Sequence, residues 1–330
     1  MITMVTVTYA DRLNFLGESV RRALEENGVD RVVIVSNGST SPLEILEQQW
    51  GDRVQIIRLK ENSGSAKGFA VGIQAAMDDG AAYIWLMDDD NAPQPGALQA
   101  LQDVMEKLAG SRPLNDFALL SFREIHQSDL LAGLPRARLF PKPGSFIGFH
   151  LLDLPYKLVR RTRWGKTPRP EALPESISLP HAHYGGLFCH RSLYERIGLP
   201  DVNLVLYADD VELTSRLTSA GGEIFLLPAS RIDDLESSWN DKVKFGSFLA
   251  GWLCGPSDLR AFYSARNQAY LAEKIPGPII WKSVNRWAYL TIMFALAVRL
   301  GRLARFRLLA DACQKGRAGT LGVEARFPLP

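Results

Sequence analysis

Tyr83-Ile-Trp-Leu-Met-Asp-Asp-Asp-Asn91 is the stretch that decides the fold. Five apolar residues without a turn residue run into consecutive carboxylates, a pattern typical of a buried strand followed by a polar loop. Open parallel sheets place their ligands at the carboxyl ends of such strands. Adjacent carboxylates repel one another unless a cation neutralises them, and oxygen ligands suit Mg2+ or Mn2+. The pattern therefore predicts a metal site rather than a solvated acidic turn.

Strand patterns alternate with helix patterns on both sides of this stretch. Further strands are predicted at Thr3–Thr8, Arg31–Val35, Val54–Leu59, Leu119–Ile125 and Gly221–Leu227, with helices at Leu13–Glu26, 41–49 and Phe69–Asp78. This alternation is typical of α/β proteins with a doubly wound, mostly parallel sheet. A C-terminal helical region follows the sheet.

The composition indicates more about where the protein is located in the cell than about its function. The net charge of +2 indicates little by itself about partners, and we expect no nucleic acid among them. Cys189, Cys254 and Cys313 are odd in number and far apart, which predicts a reducing compartment and no disulfide framework or zinc cluster. Met1 to Thr8 leads directly into a strand, and no apolar run has the length to cross a bilayer. We therefore expect a cytoplasmic protein.

Three glycines, Gly64, Gly68 and Gly72, follow the third strand at intervals of four residues. This spacing matches neither the dinucleotide-binding nor the Walker motif. One interpretation is a helix start with small residues for close packing. The other is a helix N-terminus whose free N–H groups, helped by Lys67, face a pyrophosphate. Three successive strands end in polar or glycine-rich loops on one edge, which favours a nucleotide site.

A second acidic group, Asp209, Asp210 and Glu212, opens the helix Leu213 to Ala220. Acids at a helix N-terminus often only stabilise the helix dipole. Three of them within four positions, in a chain that already has a strand-end acid cluster, favour a general base.

Two other segments carry candidate residues for an acceptor. The paired glycines of Tyr184-Gly185-Gly186 permit either a close backbone approach to a ligand or a tight bend. Arg266 lies early in a helix that would present it to a phosphate. Residues 127–180 are irregular and basic, and a connection of this length favours a mobile flap that touches an anionic acceptor over a plain solvated loop.

The segment Ile279 to Ala310 is helical in pattern and mixes aromatic with basic residues. Its apolar part, Tyr289 to Val298, is too short to span a bilayer. A helix lying in the membrane interface fits this composition, and core packing or a dimer contact fits it equally.

Taken together, these motifs resemble those of a glycosyltransferase of family 2 with a GT-A fold. The matching segments are Val5-Thr-Val-Thr-Tyr9, Ser36-Asn-Gly-Ser-Thr40, Asn62-Ser-Gly-Ser-Ala-Lys-Gly-Phe69, Trp85-Leu-Met-Asp-Asp-Asp90, Gly185-Gly-Leu-Phe188, Asp209-Asp-Val-Glu212 and Tyr263-Ser-Ala-Arg-Asn267. Their order and spacing match along nearly the whole chain. Within the family the chain is most similar to bacterial galactofuranosyltransferases, followed by rhamnosyltransferases.

The resemblance implies a role for each motif. The donor nucleotide would be held by Thr8, Tyr9, Asn37, Asn62, Gly64, Lys67, Gly68, Asp88 and Asp89. Asp88 and Asp90 would bind Mg2+ or Mn2+, and Asp210 would be the base of an inverting transfer, with Asp209 or Glu212 as lesser candidates. Tyr184, Gly185, Gly186 and Arg266 are assigned to the acceptor.

The sequence departs from the family pattern at two positions. Related enzymes commonly have a metal-binding histidine where Asp233 or Asp234 stands here, and we assign Asp233 to the metal. A site with oxygen ligands only would favour Mg2+ over Mn2+. Ser36 replaces an aspartate that is frequent in the family, and this change affects how the base of the donor nucleotide is recognised.

The resemblance predicts a catalytic domain over residues 1–235, divided at about residue 110 into a nucleotide-sugar half and an acceptor half. Residues 236–330 would form a helical region at the inner face of the cytoplasmic membrane. The expected reaction is galactofuranose transfer from UDP-galactofuranose to a lipid-linked or growing glycan. The alternatives are a rhamnosyltransferase that uses dTDP-rhamnose and, more remotely, a non-catalytic glycan-binding protein. A nucleotidyltransferase would need a basic glycine-rich loop after the first strand, where Thr8-Tyr9-Ala10-Asp11 stands.

Overall fold

The computed structural model of the chain describes residues 1–124, 127–131, 140–160, 162, 173–236 and 247–330. In this part of the chain nine strands form one sheet: β1 (Ile2–Ala10), β2 (Arg31–Ser39), β3 (Val54–Leu59), β4 (Tyr83–Asp88), β5 (Asn91–Pro93), β6 (Phe117–Arg123), β7 (Ile177–Leu179), β8 (Leu187–His190) and β9 (Glu223–Asp234). Parts of the predicted flap, residues 132–139, 161 and 163–172, lie outside the described residues.

The strand order is β3-β2-β1-β4-β8-β6-β9-β5, and β7 pairs with β9. The first four strands in this order are parallel, as the alternation of strands and helices predicts. In the second half, β8 is antiparallel to both of its neighbours, and only β6 and β9 form a parallel pair. The parallel run brings the carboxyl ends of β1, β2 and β4 to one edge.

Helices cover both faces of the sheet and form a C-terminal region. They are α1 (Leu13–Arg21), α2 (Glu44–Trp50), α3 (Ser65–Asp78), α4 (Ala97–Ala109), α5 (Ser128–Leu131), α6 (Leu154–Arg160), α7 (Ser192–Ile197), α8 (Asp209–Ser219), α9 (Phe248–Cys254), α10 (Asp258–Lys274), α11 (Ile279–Arg299) and α12 (Leu303–Arg317). A π-helical turn, Arg22–Glu26, continues α1. The predicted α/β class, with helices on both faces and a helical C-terminal region, is confirmed.

The alternation of side chains along β1 explains the two layers of the core. Met4 packs with residues of α1 and α4 on one face, whereas Val5 packs with residues of α3 and α8 on the other. Both side chains are fully buried, so the strand carries apolar residues on successive positions. This sandwich fixes the position of the strand ends that carry the polar residues.

Close packing between α3 and β1 accounts for two of the three spaced glycines. A Cβ atom added to Gly68 would lie 2.5 Å from Cγ1 of Val7, and one added to Gly72 would lie 2.5 Å from Cγ1 of Val5. Side chains larger than hydrogen would therefore push the helix away from the sheet. The packing interpretation of these two glycines is correct.

The C-terminal helices α9 to α12 form a third apolar cluster. Phe146, Phe149 and Val205, which precede these helices in the chain, are part of it. Within the described residues no helix combines the length and the hydropathy that a membrane span requires. Cys189, Cys254 and Cys313 are all free thiols. Phe146, Phe149 and Val205 precede residue 235 and pack against helices that follow it. The predicted domain boundary at residue 235 stays a prediction.

Candidate active site

The three aspartates of the opening motif lie where β4 ends, at the carboxyl edge of the parallel strands. β4 ends at Asp88, which is paired in register with Val7 of β1. The side chain of Asp89 is 7% exposed, and those of Asp90 and Asp88 are 23% and 40% exposed. All three line a cleft of about 1600 Å3. The predicted place of these acids in the sheet is correct.

Two arginines that sequence reasoning did not select contact these carboxylates. The Nε atom of Arg12 donates to both oxygens of Asp89 at 2.9 Å, and its Nη2 atom lies 3.2 Å from Asp90. Arg123, at the end of β6, lies 3.3 Å from Asp88 and forms an ion pair with Asp234. The signal for Arg123 was a charged residue that ends a buried strand, in the same position relative to its strand as the aspartates.

Burial and mutual repulsion raise the pKa values of the three carboxylates, although the two arginines oppose this change. Burial raises the pKa of Asp89 to about 7, although Arg12 opposes the change. Burial, followed by the charge of Asp88, raises the pKa of Asp90 to about 6. The pKa of Asp88 is also raised, first by burial. A further cation would relieve this repulsion.

The donor set fits a hard divalent ion held partly by its substrate. Among the described residues, no three His, Cys, Asp or Glu side chains are grouped as a protein cage for a metal would require. Mg2+ usually binds one or two carboxylates together with substrate phosphates rather than such a cage. The open carboxylates of Asp88 and Asp90 match that arrangement. These two residues therefore fit the predicted ion.

The structure corrects the assignment of Asp233 to the metal. Successive side chains of a strand point to opposite faces. Asp233 accepts hydrogen bonds from Arg22 and Gln94, away from the cleft. Asp234 lines the cleft and pairs with Arg123. Of the two aspartates, Asp234 is the one on the side of the carboxylate cluster.

Asn37 organises the loop that precedes α3. Its amide nitrogen donates to the side-chain oxygen of Asn62 at 3.1 Å and to the carbonyl of Gly64 at 3.0 Å, and its own oxygen accepts from the backbone N–H of Ser63 at 2.8 Å. Asn37 is 3% exposed and, with Asn62 and Gly64, lines the cleft. Tyr9 lines the same region. The structure thus brings four of the predicted nucleotide residues together.

Three other predicted nucleotide residues take different positions. The described lining of the cleft includes Gly64 but not Lys67, which is exposed, nor Thr8 or Gly68, which are buried. The N–H of Ala66, in the first turn of α3, donates to the carbonyl of Val205 at 3.3 Å. The helix N-terminus is therefore closed in part by a carbonyl group from the chain itself. Sequence reasoning missed this because Val205 is distant in the chain.

The second acidic group meets the same cleft from α8. Asp209 is 2% exposed and accepts hydrogen bonds from the hydroxyl of Ser65 at 3.1 and 3.2 Å. Burial, followed by the charge of Asp210, raises the pKa of Asp209 to about 8. Both residues line the cleft, but Asp209 faces Ser65 and α3. Burial and the charge of Asp210 both favour the protonated form of Asp209, so Asp209 is less suited than Asp210 to accept a proton.

Asp210 is held in its ionised form by His183. Nδ1 of His183 lies 2.6 Å from Oδ2 of Asp210, and both residues line the cleft. Burial raises the pKa of Asp210, but the charge and hydrogen bond of His183 outweigh it, so that the pKa is lowered. Burial in turn lowers the pKa of His183, and Asp210 raises it by more. Sequence reasoning did not select His183, although it stands next to the Tyr184-Gly185-Gly186 motif.

The charge of Asp210 acts on Asp88 at the end of β4. The pKa of Asp88 is raised by burial, lowered by Arg123 and raised again by the charge of Asp210. Two acidic groups that are far apart in the chain therefore face one cleft. This arrangement can hold an anionic, ion-bound substrate beside a base.

The paired glycines lie under the carboxylate cluster rather than against an acceptor. A Cβ atom added to Gly185 would lie 2.2 Å from Nη1 of Arg123 and 2.9 Å from Oδ2 of Asp88. Gly186 has a φ of 95° and packs against β6. The backbone of Gly185 therefore lies close to the side chains of Arg123 and Asp88 rather than to a ligand. Tyr184 alone of the three lines the cleft.

Arg266 and Glu212 are also corrected by the structure. Arg266 is 2% exposed, and its guanidinium donates to the carbonyls of Leu204, at 3.0 Å, and Gly322. Glu212 forms an ion pair with Arg216 on the next turn of α8. Neither residue belongs to the described lining of the cleft. Both side chains therefore serve the packing of the fold.

Comparisons with known proteins indicate the family of this chain. Residues 3–144 match the family model described as glycosyl transferase family 2. The chain is 26% identical to galactofuranosyltransferase GlfT1 of Mycolicibacterium smegmatis over 319 residues, which cover 92% of this chain and 96% of that protein. GlfT1 of Mycobacterium tuberculosis is 26% identical over 252 residues, with 75% and 74% covered.

A solved structure supports the fold. The crystal structure of GalNAc-T7 with UDP, GalNAc and Mn2+ aligns with a TM-score of 0.51 and 13% sequence identity. The alignment covers 72% of this chain and 43% of that chain, so this chain spans less than half of the length of that protein. The likeness concerns the fold of the sheet and its helices. Residues 3–144 therefore form a glycosyltransferase family 2 domain, the fold of the chain is GT-A, and most of the chain is similar to galactofuranosyltransferases.

Proposed function

We propose that this glycosyltransferase moves galactofuranose from UDP-galactofuranose to a glycan acceptor of the cell envelope, with inversion at the anomeric carbon. The sequence likeness to GlfT1 over 92% of the chain supports the choice of sugar. The observation that carries the mechanism is the meeting of Asp210 with the β4 aspartates in one cleft. A single displacement needs a base beside the acceptor and positive charge beside the leaving group.

Asp210 is the base in this proposal. The acceptor hydroxyl attacks the anomeric carbon as its proton passes to a carboxylate oxygen of Asp210, and the bond from that carbon to the diphosphate oxygen breaks. UDP leaves with the bonding electron pair. The interaction with His183 keeps Asp210 ionised before the reaction. No enzyme nucleophile takes part, so the configuration at the anomeric carbon inverts.

The donor binds at the carboxyl ends of β1, β2 and β4. Asn37, Asn62 and Tyr9 border the nucleotide part of the cleft, and Asp88 with Asp90 would hold Mg2+ or Mn2+. When bound, the ion supplies positive charge that stabilises the departing diphosphate. Mg2+ is the preferred ion here because the described carboxylate cluster offers oxygen ligands only.

A panel of sugar nucleotides tests the donor. Purified protein with Mg2+ is incubated with UDP-galactofuranose, UDP-galactose and dTDP-rhamnose, and the release of nucleotide is measured with and without acceptor. We expect turnover with UDP-galactofuranose, and a product of opposite anomeric configuration by NMR. Turnover with dTDP-rhamnose alone would make the protein a rhamnosyltransferase. An absence of hydrolysis and of transfer with every donor would indicate a glycan-binding protein.

We propose further that the acceptor is lipid-linked and that α11 rests on the inner face of the cytoplasmic membrane. Ile280, Val284, Trp287, Phe294 and Val298 are spaced by three, four or seven residues, so they share one face of α11. All five side chains are exposed, Trp287 by 65% and Phe294 by 48%. An exposed stripe of this kind with a tryptophan suits a helix in the membrane interface. Ile292 of the same helix lines the cleft, which brings the surface close to the acceptor.

Flotation with phospholipid vesicles tests the membrane contact. We expect the wild-type protein to float with vesicles that contain anionic lipid, and Trp287→Ser with Phe294→Ser to stay largely in solution. Ile45→Ser is a matched control, because Ile45 is 49% exposed on α2 and lies outside the stripe. Equal flotation of all three proteins would refute the contact. Loss of a dimer in the double variant, seen by light scattering, would assign the stripe to a second copy instead.

A further inference from the structure

The loop that leads into α8 has an unusual backbone. Val205, Tyr207 and Ala208 have φ angles of 66°, 67° and 64°, a region that residues with a side chain rarely adopt. Ala208 is the N-cap residue of α8, and Asp209 and Asp210 follow it directly. Strain of this kind persists only where surrounding contacts enforce it, and it clusters at functional sites. The conformation of residues 204–208 decides where Asp210 stands.

One side chain holds most of this loop. Asn267 of α10 is fully buried, and its amide nitrogen donates to the carbonyls of Leu204, Leu206 and Tyr207 at 2.7, 2.8 and 2.9 Å. The neighbouring Arg266 adds a hydrogen bond to Leu204 at 3.0 Å. Three carbonyls of one short loop thus converge on a single amide. The sequence motif predicted a phosphate ligand at this place, and the structure shows a backbone clamp.

The opposite side of the loop is fixed as well. The carbonyl of Val205 accepts from Ala66 of α3, and a Cβ atom on Gly64 would lie only 1.9 Å from that carbonyl oxygen. The carbonyl of Asn203 accepts from the N–H of Gly322 at 2.7 Å. Contacts from α3, from α10 and from the segment after α12 therefore surround residues 203–208. The amide of Asn267 is the contact that touches three of these residues at once.

We propose that Asn267 is a positioning residue for Asp210, which it controls through the strained loop. This inference rests on the proposed role of Asp210 as the base. Without the amide, the strained residues relax toward ordinary backbone angles and the carboxylate moves relative to the acceptor hydroxyl. A misplacement of about 1 Å lowers a reaction rate by about 10²-fold. Binding of the nucleotide depends on Tyr9, Asn37, Asn62, Asp88 and Asp90, which lie outside residues 203–208, and we expect it to stay intact.

The test is a double-mutant cycle of Asn267→Ala with Asp210→Asn. We expect Asn267→Ala to lower kcat by about 10²-fold, with the dissociation constant for UDP and Mg2+ unchanged within about twofold. In protein that already carries Asp210→Asn, the same substitution is expected to leave the residual turnover unchanged, because the base is absent. A purely structural role would lower the rate by the same factor in both backgrounds, and that result would overturn the proposal.

Asn27→Ala is the matched control. Asn27 also joins two segments, since it donates to the carbonyl of Arg22 and accepts from the N–H of Leu98, but it lies away from the cleft. Its loss is expected to lower the unfolding temperature without changing kcat. Asn267→Ser, which keeps one donor, replaces the alanine variant if that protein does not fold. A near-normal kcat in the folded Asn267 variant refutes this inference alone, whereas normal turnover of Asp210→Asn refutes the proposed base and this inference with it.

Discussion

Arg123 joins two separate parts of the active site through one side chain. It contacts Asp88 at the end of β4 and Asp234 at the end of β9, and its side chain is only 8% exposed. Arg12 ties Asp89 and Asp90 to the loop after β1 in a similar way. Each carboxylate of the cluster therefore has a distinct set of neighbours. Single substitutions in this cluster are expected to have different effects.

Asp90→Ala is expected to abolish transfer and to remove the effect of Mg2+ on donor binding. Asp90 is one of the two open carboxylates that fit the ion, and Asp88 alone offers too few ligands. Titration of UDP by calorimetry with and without Mg2+ measures the effect. Asp103→Ala, an exposed aspartate on α4, is the control and is expected to behave as wild type. An unchanged Mg2+ dependence in Asp90→Ala would exclude Asp90 as a ligand.

Asp210→Asn is expected to lower kcat by at least about 10²-fold and to bind donor and metal normally. The amide keeps the shape of the side chain but does not accept the proton. Glu212→Gln is the matched control on the same helix, because its carboxylate serves Arg216. We expect near-normal turnover from Glu212→Gln in a steady-state assay. The reverse outcome, an inactive Glu212→Gln and an active Asp210→Asn, would move the base to Glu212.

At the scale of elements, the alternation of β9 separates two neighbouring aspartates. Asp233 points toward Arg22 and Asp234 toward Arg123. Asp233→His is therefore expected to leave the ratio of Mg2+- to Mn2+-supported activity unchanged. Asp234→His is expected to shift that ratio toward Mn2+, because imidazole suits Mn2+ better than Mg2+. A shift caused by Asp233→His in the transfer assay would contradict the assignment of the two faces.

The contact between α3 and β1 makes a prediction for stability. Gly68→Ala places a methyl group 2.5 Å from Cγ1 of Val7, and such overpacking costs about 1–3 kcal/mol. Gly17→Ala in α1 has no atom within 4 Å of the added methyl group, and it is expected to stabilise the protein by about 0.5–1 kcal/mol. Urea unfolding of both variants measures the two free energies. A loss of stability in Gly17→Ala as large as that in Gly68→Ala would contradict the packing account.

For the whole molecule, the features that depend on local sequence were predicted correctly, whereas those that depend on contacts between distant parts of the chain were not. The end of β4 and the start of α8 were predictable, because a local run of apolar residues followed by acids indicates where an element stops or starts. The direction of a side chain beyond that point depends on distant partners. The first turn of α3 and Arg266 were assigned to phosphates because nothing near them in sequence shows that the carbonyls of Val205 and Leu204 accept their hydrogen bonds.

The same distinction explains the second half of the sheet. A helix between two strands predicts a parallel pair, and this rule holds for β1 to β4. After β6 the chain adds β7, which pairs with β9, before it enters β8, and the sequence between β6 and β8 has no regular strand-helix alternation that predicts the direction of β8. The antiparallel insertion of β8 between β4 and β6 is fixed by the long connection. Arg123 and His183 come from this half, and for this reason the sequence alone did not connect them with Asp88 and Asp210.

Arg12 and Arg123 have a further consequence for the order of ligand binding. A divalent ion that arrives alone competes with two internal guanidinium groups for the same carboxylates. A sugar nucleotide that arrives alone brings a negative diphosphate to a negative site. Ion and donor together are almost neutral, so each raises the affinity of the other by the same factor. We therefore expect the free enzyme to bind the proposed ion weakly, and UDP and the ion to dissociate together after transfer.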